Sequence, residues 1–307
     1  MNRSNSMTRR TAFGALVAAA AAGAAGRPIR LGGPVFLKSD DPRELAREHR
    51  RLGYSAAYCP PAEAGDAVRV RAIRDAYAAE NVVIAEVGAW KNMLDPDAAK
   101  RKANLDYVAA RLQLADEVHA RCCVDIAGSF HPDVWYGPHP KNLSDEFLEA
   151  TVSNCRRVID AVKPTRTVFT IEMMGWNLPD GPDSYLRLIR AVDRKGFGVH
   201  MDVCNGVNSP ARFYGNADFI GECFSKLGRW IASCHAKDLQ WIPEMNVHFV
   251  EVVPGRGSID YGAYLRSVAG LGVDAPLMLE HLKTAAEYEE GKRYILRTGA
   301  EAGVGFA

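Results

Sequence analysis

Eight short, almost continuously apolar runs punctuate the chain from residue 27 onward, and amphipathic stretches separate them. The runs are 34–38 (PVFLK), 55–59 (SAAYC), 82–87 (VVIAEV), 121–127 (RCCVDIA), 167–172 (TVFTIE), 197–202 (FGVHMD), 230–236 (WIASCHA) and 276–280 (PLMLE). A strand with one wet face alternates polar and apolar residues. Runs this uniformly apolar predict strands covered on both faces, as in a parallel sheet.

The intervening stretches carry helical spacing and caps. Asp95 followed by Pro96 predicts a helix start, and Leu105, Val108, Leu112 and Ala115 then repeat along one face. Ser144 predicts a second cap, before a face of Leu148, Val152, Cys155, Ile159 and Val162 that ends ahead of Pro164. Tyr185, Leu186, Ile189 and Val192 make a third face, with closure expected at Lys195-Gly196. Strand–helix alternation repeated eight times predicts an α/β fold, a single (β/α)8 TIM barrel over residues 27–307. The rival, a doubly wound open sheet, usually has a Gly-rich phosphate turn after its first strand, and LGGPVFLKSDDP supplies none. Residues 128–143 and 239–262 are longer than simple connectors and fall on the carboxyl side of their strands, where barrel active sites form.

Length and charge narrow the partners. A chain of 307 residues would suggest two domains, but one such barrel takes about 250 residues. A formal net charge of +1 argues against a nucleic-acid surface and gives no support for an anionic membrane. Residues 1–26 read as an export leader rather than as part of the fold. Arg9 and Arg10 precede a weakly apolar, Ala-rich run from Ala12 to Ala22, as in a twin-arginine signal, so an exported, periplasmic protein is expected. No stretch has the apolar length of a membrane span, so no stable membrane association is expected. Seven cysteines without Cys-x-x-Cys spacing lie mostly inside apolar runs, as small buried hydrophobes do, and no disulfide is assignable.

Four of the apolar runs close on, or beside, a metal-competent side chain: Glu172, Asp202, His235 and Glu280. In a parallel barrel the strands' carboxyl ends meet at one mouth, so these groups would converge. Carboxylates gathered away from water repel one another unless a cation neutralises them. Three carboxylates and one imidazole suit a hard or borderline divalent ion: Mn²⁺ is expected, with Mg²⁺, Co²⁺ and Zn²⁺ as alternatives.

The order Glu, Asp, His, Glu on the last four strands, HAKD around His235, and VPGRGSIDYGAYL before the final strand resemble the xylose-isomerase-like sugar isomerase/epimerase superfamily over roughly residues 30–300. The resemblance implies metal ligation by Glu172, Asp202, His235 and Glu280, with Glu172 and Glu280 flanking the substrate carbon as catalytic acid and base. It implies proton abstraction beside a carbonyl, through an enediolate that a divalent ion stabilises, on a small sugar or glycoside. One departure matters. Many epimerases of this superfamily carry a His three residues after the strand-six Asp, whereas this chain has Asn205. Asn binds a hydroxyl but cannot share a proton at neutral pH, which counts against ordinary free-ketohexose epimerisation.

Further substrate contacts are expected from Glu86 and Trp90 at the end of the third strand, from His131 and Trp176 in mouth loops, and from His200 and Lys237. Each also has a plainer reading: Trp176 as lid packing, His200 as a group behind the ligands, Lys237 as the ion-pair partner of Asp238. Gly255-x-Gly257 permits a tight turn near a phosphate, though turn geometry alone explains it. Two other readings stand beside the isomerase: a lyase that uses the same residues to cleave keto-glycosides, and an exported sugar-binding barrel without turnover. Barrels of this kind often pair, so a homo-oligomer stays open.

Overall fold

The computed structural model describes residues 26–307. The expected leader therefore lies, apart from Gly26, outside the described residues. Among the described residues ten strands occur: β1 Leu31–Gly32, β2 Ala56–Tyr58, β3 Val83–Gly88, β4 Cys122–Asp125, β5 Val168–Glu172, β6 Phe197–Met201, β7 Ile231–Ala236, β8 Asp238–Trp241, β9 Phe249–Val252 and β10 Leu277–Leu279. Eight of them close into a barrel in the order β1-β10-β7-β6-β5-β4-β3-β2. Every neighbouring pair in it is parallel. The helices are α1 Pro42–Arg51, α2 Ala67–Ala79, α3 Ala98–Val118, α4 Asp145–Val162, α5 Pro182–Val192, α6 Val203–Gly206, α7 Pro210–Tyr214, α8 Asn216–Leu227, α9 Tyr261–Ala269 and α10 Ala285–Glu301. This is the (β/α)8 barrel the alternation predicts.

Seven of the eight barrel strands overlap the apolar runs. The first does not: pairing occurs at Leu31–Gly32, and the PVFLK run passes beyond the strand with Phe36 and Leu37 exposed. Pro34 has no N–H for a ladder. Gly32 marks the close approach instead, since a Cβ there would lie 2.4 Å from Met278 Sδ and 2.6 Å from the Ala56 carbonyl oxygen. Two helix ends also move. The cap of α3 is Asp97, whose carboxylate accepts the N–H groups of Ala99 and Lys100. Helix α5 closes at Asp193, in the left-handed conformation, before Lys195-Gly196. The Ser144 cap of α4 stands, accepting the Phe147 N–H.

Two register shifts interrupt the barrel ladders. Ala57 pairs with Ile84 but Tyr58 with Glu86, leaving Ala85 as an extra residue on β3. Likewise Val199 pairs with Ile231 but His200 with Ser233, leaving Ala232 extra on β7. Each extra residue reverses which side chains face inward along its strand.

The two long loops fold into defined structures. Residues 239–262 contain the antiparallel β8–β9 hairpin, and Phe249 stacks on Phe213 of α7 at 4.8 Å and 4°. Beyond the hairpin, the Asp238 carboxylate accepts four backbone N–H groups, from Leu239, Gly255, Gly257 and Ile259. The glycine turn thus cradles the chain's own carboxylate rather than a phosphate. In the 128–143 loop, buried Asn142 donates to Ser129 Oγ and the Gly137 carbonyl, and its own backbone carbonyl accepts the Leu178 N–H. That ties the loops after β4 and β5 together. All seven cysteines are free. No helix among the described residues is long and apolar enough to cross a membrane.

Candidate metal centre

Glu172 ends β5, Asp202 follows β6, His235 lies near the end of β7 and Glu280 follows β10. One ligand-capable atom from each lies within 4.8 Å of the others. His235 sits at the middle. Its Nδ1 is 3.0 Å from Glu172 Oε1, 3.0 Å from Glu280 Oε2 and 3.6 Å from Asp202 Oδ2. A single ring nitrogen carries at most one proton, so it serves one of these three oxygens at a time.

A further positive charge nearby is Lys237, two residues along from His235 and 2% exposed. Its Nζ lies 2.8 Å from Asp202 Oδ2, 3.3 Å from Glu251 Oε1 and 3.4 Å from Glu280 Oε2, and it donates to Asn205 Oδ1 at 3.0 Å. The ion pair with neighbouring Asp238 does not form, because that carboxylate is taken by backbone donors. Even so, Asp202 Oδ2 and Glu280 Oε2 are buried without a properly directed hydrogen bond. Carboxylate oxygens converging with a ring nitrogen are the donor set of a hard or borderline divalent ion. The residues present fit such an ion.

Electrostatics agree. Burial alone would lower the His235 pKa, yet Glu280, Glu86 and Glu172 hold it well above the usual histidine range. Burial would also lower Lys237, and Asp202, Glu280 and Glu172 hold it well above the ordinary lysine value. The four-residue cluster draws in positive charge as a proton on His235; a bound cation would supply that charge and displace the proton. Burial raises Glu172, only partly countered by His235, whereas the charges of His235 and Lys237 overcome burial at Glu280 and hold it at about 2.

Beneath the ligands lies a second, wholly enclosed group. Glu86, 1% exposed, takes His235 Nε2 on Oε1 at 3.0 Å and His200 Nε2 on Oε2 at 2.8 Å. Ser233 Oγ donates to the same Oε2 at 3.2 Å. The register shifts at Ala85 and Ala232 bring these side chains to one interior. Glu86 and His200, expected to touch a sugar, are buried behind His235 and bonded to each other. Their geometry sets the tautomer of the neutral ring: once an ion displaces the Nδ1 proton, the Nε2–H donated to Glu86 would leave the Nδ1 lone pair to ligate.

Asn205, at the mouth, donates from Nδ2 to Glu172 Oε1 at 3.2 Å. It borders a cleft of about 660 Å³ with Trp176, Phe249 and Glu251. A smaller space of about 170 Å³ holds Lys237, Glu280 and His281. Trp90 and His131 line neither. Trp90 adopts φ 45° and packs over Gly88, and His131 Nδ1 accepts the N–H groups of Asp133 and Val134, shaping its own loop. Sequence reasoning missed Ser233 and His281. His281 bonds Glu251 at 2.8 Å and so joins the hairpin to the segment after β10. Its position next to Glu280 was the available signal.

A family model described as xylose isomerase-like TIM barrel matches residues 42–298. None of the curated proteins matches the chain significantly. Solved structures do. A xylose isomerase-like TIM barrel protein from Mycobacterium smegmatis, in complex with magnesium, is similar at 16% identity and a TM-score of 0.63, with 90% of this chain and 98% of that one covered. The apo 3-keto-D-glucoside 4-epimerase of E. coli is similar at 13% identity and 0.63, with 88% and 99% covered. The D-psicose 3-epimerase of Clostridium cellulolyticum H10, with D-tagatose, is similar at 14% identity and 0.62, with 87% and 95% covered.

Proposed function

Because the chain belongs to the xylose isomerase-like TIM barrel family, we propose that it is a divalent-metal-dependent sugar isomerase or epimerase. The observation that carries this reading is the convergence of Glu172, Asp202, His235 and Glu280, with three carboxylates drawn around one ring nitrogen. Named sugar epimerases among the structural relatives support it, and favour returning the proton over expelling a leaving group.

Glu172, Asp202, Glu280 and His235 Nδ1 would hold the ion, with Mn²⁺ the proposed occupant. When bound, a divalent ion supplies Lewis-acid polarisation of a sugar carbonyl and so acidifies the neighbouring C–H. The remaining work falls to this chain's side chains. Glu172, kept basic by burial, removes the proton, and Asn205 Nδ2 holds its Oε1 in place. Glu280, from the segment after β10, is ionised at rest and delivers a proton that it takes up from solvent, while the proton on Glu172 is either returned or released to solvent. Return to the opposite face of the same carbon inverts it; return to the adjacent carbon moves the carbonyl. Lys237 holds Asp202 and Glu280 in position and presents its ammonium to the mouth. Glu86 orients His235 from below.

The test is NMR of Mn²⁺-loaded protein in D₂O with a panel of ketoses and keto-glycosides. Deuterium entering the carbon beside the carbonyl of an intact sugar is expected, and the labelled position separates epimerase from isomerase. Release of aglycone in place of exchange would replace this reading with the lyase. Export is a separate proposal that rests on Arg9, Arg10 and the Ala-rich run after them. Recovery of the protein from the periplasm with residues 1–26 removed is expected; cytoplasmic protein that keeps Met1 refutes it.

A further inference from the structure

The larger cleft beside the centre has a wall that proton transfer does not use. Its inner end is shared with the site, since Asn205 contacts Glu172 and Glu251 contacts Lys237. From there it runs outward between the segment after β5, carrying Met174 and Trp176, and the β8–β9 hairpin, carrying Leu239, Val247 and Phe249. Trp176 is 65% exposed and Val247 60%, while the stack on Phe213 holds Phe249 rigid.

Three properties define what fits. The cleft measures about 660 Å³, within the range of roughly 300–1,000 Å³ that holds drug-sized ligands and larger than one sugar ring over the ligands requires. Among the described residues its lining contains no Lys or Arg; Glu251 is its only carboxylate and His248 its only imidazole. A phosphate or carboxylate substituent would lack a cation there and would face Glu251. Its long walls are instead an indole, a phenyl ring, a thioether and branched aliphatics, which a free monosaccharide would leave facing water.

We propose that the sugar substrate carries an uncharged apolar substituent, an aryl or alkyl aglycone, seated against Met174, Trp176, Val247 and Phe249. The inference rests on the sugar isomerase or epimerase reading for what lies at the inner end. The substrate class is then keto-glycosides, whose oxidised ring carbon supplies the carbonyl the reaction needs, and not free or phosphorylated sugars.

The experiment is calorimetric titration of the Mn²⁺-loaded full chain with p-nitrophenyl and methyl keto-D-glucosides of both anomers, and with glucose 6-phosphate. One p-nitrophenyl keto-glucoside should bind at least about ten-fold tighter than its methyl counterpart, the gain expected from removing an aryl ring's surface from water. In Trp176→Ala, an exposed position where truncation spares the fold, that ratio should fall to about two-fold or less. A second variant, Val247→Ser, should lower it in the same direction. Equal affinity for aryl and methyl keto-glucosides, absence of measurable binding by either, an aryl preference that survives Trp176→Ala, or tighter binding of glucose 6-phosphate each overturns the proposal. Failure here is distinguishable from failure of the reaction. An aryl preference without deuterium exchange on any sugar removes the reaction and leaves the subsite, whereas exchange into a free ketose without aryl preference removes the subsite and leaves the reaction.

Discussion

Replacing Glu86 with Gln tests whether the group beneath the ligands sets the state of the centre above. The change conserves volume but converts two acceptor oxygens into one acceptor and one donor. Each Glu86 oxygen now faces an imidazole Nε2, His235 at 3.0 Å and His200 at 2.8 Å. In Glu86→Gln, at least one of these nitrogens meets an amide donor. If it is His235, the neutral ring loses its acceptor at Nε2 and keeps its last proton on Nδ1, the atom 3.0 Å from both Glu172 and Glu280. That proton must then leave before an ion can bind. Partners that orient a ligating imidazole are typically worth 10–100-fold in metal affinity, about 1.4–2.7 kcal/mol. A loss in that range is expected when Mn²⁺ is titrated calorimetrically into EDTA-stripped protein, with circular dichroism confirming that the barrel is folded. Ser233→Ala is the control. It removes one donor to Glu86, at 3.2 Å, and leaves both imidazoles in place, so affinity should change less than about three-fold. A folded Glu86→Gln that binds Mn²⁺ within two-fold of the parent refutes the tautomer argument.

Glu172→Gln and Glu280→Gln should each lower deuterium exchange by at least about 10²-fold while the protein still melts cooperatively; near-parental exchange in either removes that residue from the pair. The pH dependence of metal stabilisation follows from His235, whose folded pKa is raised. A protonated His235 stabilises the metal-free protein fully below its unfolded value of about 6.5, and that contribution is lost as pH rises through the raised folded value. The Tm gain on adding Mn²⁺ should therefore grow between pH 6 and pH 9, and a gain that shrinks over that range contradicts the charge balance. Gly257→Ala places a Cβ 2.2 Å from Asp238 Oδ1 and 2.5 Å from the Leu239 carbonyl oxygen. Overpacking of that kind costs about 1–3 kcal/mol, so scanning calorimetry should show Tm lowered by roughly 5 °C, and an unchanged Tm counts against the clamp.

Much of the barrel was legible because its physics is local. A strand buried on both faces must be apolar throughout, and seven runs announced themselves that way. Polar groups tolerated at the ends of such runs marked Glu172, Asp202, His235 and Glu280, which the parallel topology then had to bring to one mouth. The first strand escaped because two residues, one of them Gly32, carry no periodicity, while the more apolar PVFLK beside it holds a proline that cannot join a ladder. Cap positions slipped by a residue or two where two Asp residues, Asp95 and Asp97, competed for one helix start.

What the sequence by itself determined is the strand–helix alternation and the chemical character of the four strand ends. Only tertiary structure decided which other polar groups serve them. Ala85 and Ala232 are extra by virtue of the partner strand's register, and those two insertions turn Glu86 and Ser233 toward His235 and His200. Likewise Lys237 pairs with Asp202 rather than Asp238 because Gly255 and Gly257, far along the chain, fold back to satisfy Asp238. Side-chain direction along a strand depends on pairing with a neighbour, and a carboxylate's partner depends on who arrives first within about 3 Å. Neither is a property of any window of sequence.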